Sequence, residues 1–160
     1  GIFMFDTSTI DDADSISAAT LSLFGSLKDD TLGITPTLNI YSSAPASTAD
    51  VVAGDYDSLG TTAFATGITQ ADYRISPYND LALNASGKAN ISKTGVSKFG
   101  FTSVSDRDNS APTWVSGSNG EVTTISADTA DVTQDPKLLV NHSVPVVASA
   151  QSNFLLLGVS

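Results

Sequence analysis

Ala19-Thr20-Leu21-Ser22-Leu23-Phe24 sets Ala19, Leu21 and Leu23 on one side of an extended chain and Thr20, Ser22 and Phe24 on the other. A period of two belongs to a half-buried β-strand, whose successive side chains point to opposite faces. A second alternation follows Pro36, with Leu38 and Ile40 set against Thr37, Asn39 and Tyr41. Upstream, the apolar run Ile2–Phe5 closes on Asp6-Thr7-Ser8-Thr9 and reads as a buried strand ending in a turn. Downstream, strands are expected over 63–68, 75–83 (interrupted by Pro77), 96–104, 121–125 and 137–142, with loops over 25–35, 42–49 and 105–119. Asp55-Tyr56-Asp57-Ser58-Leu59-Gly60 reads as a short helical turn or tight loop. Asn84 stands where an N-cap belongs and predicts one short helix near residues 84–92, stopped near Gly95. Eight or so short strands imply an all-β fold, a jelly-roll-like antiparallel β-sandwich over residues 1–143. Residues 144–160 then form a linker and an apolar terminal strand.

Composition agrees with that reading. Sixteen of the seventeen acidic residues are Asp, which favours turns and caps over helix interiors, and Glu121 is the single Glu. Ser and Thr supply 41 of the 160 residues, so the surface is hydroxylic more than ionic. Such a surface fits a virion or an extracellular, cell-surface location. The chain opens on Gly1, as a processed terminus or the edge of a longer polypeptide would.

The same arithmetic removes several function classes. Seven basic residues against seventeen acidic ones give a net charge of −10, which argues against a nucleic-acid partner. The absence of Cys excludes disulfides, thiolate zinc sites and Cys nucleophiles. His142 is the single His, too few for a His-based metal cluster and poor ground for a Ser-His-Asp triad. No run of 18 apolar residues exists to span a membrane. Paired carboxylates of a glycosidase carry no signal here, because among sixteen Asp some pair falls at any chosen separation. The expectation is a chain that is not an enzyme and needs no cofactor.

Three groups of residues remain as candidates. Trp114, with Tyr56 and Tyr78, supplies the amphipathic aromatics that stack on glycans, although Trp114 reads equally as a cap on the sandwich core. Asp106, Asp108 and Asn109 place oxygens at nearby loop positions as calcium loops do. With Arg107 between them and no bidentate Glu, the same run also reads as a solvated turn with a local ion pair. Phe154, Leu155, Leu156, Leu157 and Val159 form an apolar segment that can pair with a neighbouring copy, pack on its own domain or belong to a following one.

Several stretches resemble jelly-roll modules related to the DNRLRE domain. They are GIFMFDTSTIDDADSISAATLSLFGS (residues 1–26), PTLNIYSSAPAS (36–47), VAGDYDSLGTTAFAT (52–66), YNDLALNASGKANISKTGVSKFGF (78–101) and DPKLLVNHS (135–143). The resemblance implies a jelly-roll module of a phage structural protein or a prokaryotic surface protein, with copies of itself or other virion and surface proteins as partners. It also implies that the family's usual first strand would precede Gly1, which leaves a sheet edge open, and that residues 144–160 run past the family's usual end. Two functions follow as expectations: a structural module joined through β-edges and the terminal strand, or a carbohydrate-binding adhesion module.

Overall fold

A computed structural model describes residues 1–128 and 132–145. They hold eight strands: β1 (Ile2–Asp6), β2 (Ser15–Asp29), β3 (Thr37–Ser42), β4 (Ile68–Thr69), β5 (Tyr78–Ala82), β6 (Val96–Ser103), β7 (Glu121–Thr124) and β8 (Lys137–Ser143). The protein is an all-β sandwich of two antiparallel sheets. One runs β1-β6-β3-β4; the other runs β5-β2-β7, with β8 also on β2. Leu21 of β2 faces both Leu81 of β5 and Leu138 of β8, while Gly25 further along faces Thr124 of β7. β7 and β8 therefore share one side of β2, and β5 takes the other. Among the described residues only β3 and β4 pair as consecutive strands, the crossing pattern that jelly-roll connections produce.

The alternating residues do what their period dictates. Leu21 and Leu23 of β2, Leu38 and Ile40 of β3, and Phe99 and Phe101 of β6 turn inward and are buried. Phe64 meets Phe99 edge-on at 6.3 Å between ring centroids, an arrangement that adds to the area the rings bury. On the opposite face of β6, Lys98 reaches Pro45, Gly100 meets Leu59 and Thr102 meets Tyr56, all from the excursion after β3 that contains a 3-10 turn over Ala53–Ser58. Gly100 has no Cβ because Leu59 rests there: a Cβ would stand 2.1 Å from its Cδ2. The predicted cap holds, as Asn84 accepts from the Gly87 N–H at 3.0 Å at the start of α1 (Ala85–Ala89).

The structure departs from expectation in three places. β2 does not end at Gly25 but continues to Asp29, through a register shift between Gly25 and Leu27. The strand expected over 63–68 shrinks to β4 and a single bridge between Ala65 and Leu83. Its path still follows β3, since the Phe64 N–H reaches the Ile40 carbonyl at 2.8 Å. At Ala65, however, the buried Asn39 side chain replaces the ladder, donating to the carbonyl at 3.0 Å and accepting from the N–H at 3.2 Å. The loop expected from residue 105 instead begins with one turn of helix, α2 (Val104–Arg107), capped by the Ser103 hydroxyl on the Asp106 N–H. The terminal segment with Phe154, Leu155, Leu156, Leu157 and Val159 lies outside the described residues.

Candidate functional site

A cleft of about 430 Å³ opens at the end of the sandwich where β3 begins and β6 finishes. Leu38 of β3 and Phe101 of β6, both buried, contribute to its lining. Val122 and Thr124 of β7 form one wall, α2 and the loop after it the other, and Trp114 lines it from that loop. Trp114 is 63% exposed, so it does not cap the core, and its indole stands open to solvent. Asp106 and Glu121 are the charged side chains of the lining, and Asn109 adds an amide. Gly1 also lines the cleft, its nitrogen held by the Phe101 carbonyl at 2.7 Å.

The charged lining is fixed from behind. The Tyr56 hydroxyl lies 2.7 Å from Thr102 Oγ1, which donates to Asp106 Oδ2 at 2.7 Å. Tyr56 is carried by the 3-10 turn, which Asp55 locks by accepting from the Val52 and Ala46 N–H groups, both at 2.9 Å. Those two backbone bonds, Val52 first, hold the Asp55 carboxyl below the usual carboxylate range. Glu121 accepts from the Thr123 hydroxyl at 3.1 Å.

The sequence candidates separate in space. Trp114, Asp106 and Asn109 meet in one cleft, a grouping the sequence reading had split between stacking and calcium. Tyr56 serves the cleft only through Thr102 and does not line it. Tyr78 does not line the cleft, and its side chain is engaged within the domain. Its ring meets Phe24 edge-on at 5.2 Å and carries the Lys137 ammonium 4.2 Å from its centroid. Its hydroxyl donates to the Thr133 and Asp135 carbonyls at 2.7 and 2.9 Å. Nor does the calcium trio converge: the Asp106 carboxylate takes Thr102, whereas Asp108 pairs with the neighbouring Arg107. Arg107 also donates to the Thr61 carbonyl and lies over the Tyr41 ring, 5.2 Å from its centroid. Among the described residues no cluster of three or more His, Cys, Asp or Glu side chains is placed to hold a metal.

One polar pair escaped the sequence reading. His142 Nδ1 and Asp14 Oδ2 lie 2.5 Å apart, joining β8 to the turn before β2, and the Asp14 side chain is 5% exposed. A lone His and one Asp 128 positions away leave no local mark that could have paired them.

Every basic side chain engages its own chain. Lys28, Lys88, Lys93, Lys98 and Arg74 donate to backbone carbonyls, Arg107 is bound as above, and Lys137 sits over Tyr78. No helix among the described residues is long and apolar enough to cross a membrane. No family model, no curated protein and no solved structure matches the chain.

Proposed function

We propose that this domain is a non-catalytic structural module of a phage virion or prokaryotic surface assembly, joined to neighbouring copies by strand addition. The observation that carries the reading is β1. It is the outermost strand of its sheet, and among the described residues no strand pairs its far side. Gly1 and Phe101 exchange both backbone bonds, at 2.7 and 2.8 Å, and the Thr7 N–H reaches Gly95 at 3.0 Å. By the alternation of an antiparallel ladder, Phe3 and Phe5 then face β6, while the amides of Ile2, Met4 and Asp6 point outward. The strand carries no Lys or Pro to blunt that edge, the condition under which another strand adds. The occupant is the uncharged, apolar segment 154–159 of a neighbouring copy.

The test is the solution mass by light scattering of three chains. The intact chain should form ordered oligomers. Met4→Pro removes an outward amide without touching a β1–β6 bond, and a chain lacking residues 152–160 removes the donor; both should be monomeric with unchanged circular dichroism. A monomeric intact chain, or oligomers that persist in both variants, refutes the proposal.

A second reading, a carbohydrate-binding adhesion module, is favoured by the open indole of Trp114 on its cleft. Binding and assembly are compatible, since a surface fibre can do both. Its test is the fluorescence of Trp114, the chain's single Trp, on titration with oligosaccharides.

A further inference from the structure

We propose that the chain hydrolyses its own Asp135-Pro136 bond, whose carbonyl the fold holds on the Tyr78 hydroxyl. It is the only Asp-Pro bond in the sequence, and it joins the 3-10 turn Val132–Gln134 to β8. The Asp135 carbonyl accepts from Tyr78 at 2.9 Å, a donor it shares with the Thr133 carbonyl at 2.7 Å. Asp135 Oδ1 is buried and has no hydrogen-bond partner among the described residues. A buried carboxylate oxygen without a donor is uncommon and calls for a reason. Here it belongs to the residue whose carbonyl is polarised. On the other side of the bond, Lys137 sets its ammonium 4.2 Å from the centroid of the Tyr78 ring, which draws on the ring and strengthens its hydroxyl as a donor. Tyr78 is itself seated by its edge-on contact with Phe24, its partner across the β2–β5 ladder.

Each part has a task in the reaction. An Asp135 carboxylate oxygen attacks the carbonyl carbon of its own residue and closes a five-membered ring. The oxyanion that develops keeps the Tyr78 hydrogen bond, the stabilisation that positioned donors give to acyl transfer. The C–N bond to Pro136 then breaks, and the nitrogen takes a proton from solvent to leave as a secondary amine. Water opens the cyclic anhydride, restoring the Asp135 side-chain carboxyl beside a new C-terminal carboxylate. The sum is one water added across one peptide bond. Asp135 and Pro136 are half-buried, so water can enter. The products, residues 1–135 and 136–160, stay together: β8 keeps its ladder with β2 from Ser15–Ser143 to Ser22–Lys137, and Leu138 and Val140 stay packed on the core.

The experiment incubates the whole chain in mild acid, where the departing nitrogen can take a proton and circular dichroism shows the fold intact. Denaturing gels and intact mass follow the cut. Two fragments should appear, one ending at Asp135 and one starting at Pro136, with masses that sum to the parent plus one water. Native size should stay unchanged, since the pieces remain paired. Asp135→Ala should abolish the fragments. Tyr78→Phe keeps the ring and removes the hydroxyl, and it should slow the cut at least about tenfold, as loss of an oxyanion donor does. The same chain in urea at the same pH also loses Tyr78 from the carbonyl and should cut as slowly. No fragments from the folded chain, a cut at another bond, or a rate unchanged by urea or by Tyr78→Phe overturns the proposal.

Discussion

Replacing Asn79 by alanine tests how much of this fold rests on one buried amide. Asn79 is 1% exposed and makes three bonds. It accepts from the Arg74 N–H at 2.8 Å and donates to the Arg74 and Leu23 carbonyls at 2.9 and 3.3 Å. Alanine leaves the Arg74 N–H and carbonyl facing the space the amide filled, while the Leu23 carbonyl keeps its ladder bond to the backbone N–H of residue 79. Each unmet buried group costs about 1–3 kcal/mol, and water entering the gap recovers part of it, so the net loss is about 2–5 kcal/mol. For a chain of this size that corresponds to a fall in Tm of roughly 5–20 °C. Urea denaturation followed by circular dichroism should show a lower midpoint with an unchanged slope. Asn79→Asp sharpens the test. It keeps the acceptor for Arg74 but sets a carboxylate against two carbonyl oxygens, so it should cost at least as much at neutral pH and recover in acid, as the carboxyl protonates. A loss below about 1 kcal/mol in Asn79→Ala, or an Asp variant as stable as the parent, would refute the reasoning.

Other substitutions probe separate features. Gly25→Ala puts a Cβ 2.1 Å from the Arg74 carbonyl oxygen, backbone that cannot step aside, whereas Gly100→Ala meets only the tip of Leu59. Gly25→Ala should lose about 1–3 kcal/mol or more and melt well below Gly100→Ala; equal melting temperatures would contradict the packing described. His142→Ala strands the buried Asp14 carboxylate and should cost about 1–3 kcal/mol in denaturant titration, with part of the loss restored by adding Asp14→Ala. Asp55 has a lowered carboxyl pKa in the fold, so its contribution is present above the unfolded value near 4 and vanishes as pH falls through the folded one. Asp55→Asn should therefore flatten the acid limb of a Tm-against-pH curve, and an unchanged limb would assign the acid sensitivity elsewhere.

The sequence made the sheets legible where side chains alternate, and the helix where Asn84 caps it. It hid what depends on a partner far along the chain. The stretch 63–68 carries strand-forming residues, yet its ladder is taken over by Asn39, a polar side chain that alternation alone assigns to solvent. Gly25 reads as a terminator because glycine commonly ends strands. Here it is the one residue that lets Arg74 approach a strand that keeps going. Trp114 was recognisable as a large aromatic in a polar loop, but its openness depends on where that loop lies against the sheet ends. Tyr78 looked equivalent until Lys137, 59 residues later, closed over its ring.

The long strand β2 has a consequence for how the protein is made. Its residues are synthesised early, yet Ser15 pairs with Ser143 and Ser22 with Lys137, the last described strand. At about 5–20 residues per second, the ribosome needs roughly 5–23 s between finishing β2 and delivering its partner. Over that interval the inner face of β2, with Leu21 and Leu23, has no completed sheet around it. Nascent chains are most exposed to aggregation and to holding chaperones in this window, because pairings this distant pay their loop-closure entropy before any contact repays it. Among the described strands, the sheet built on β2 is the one that closes last.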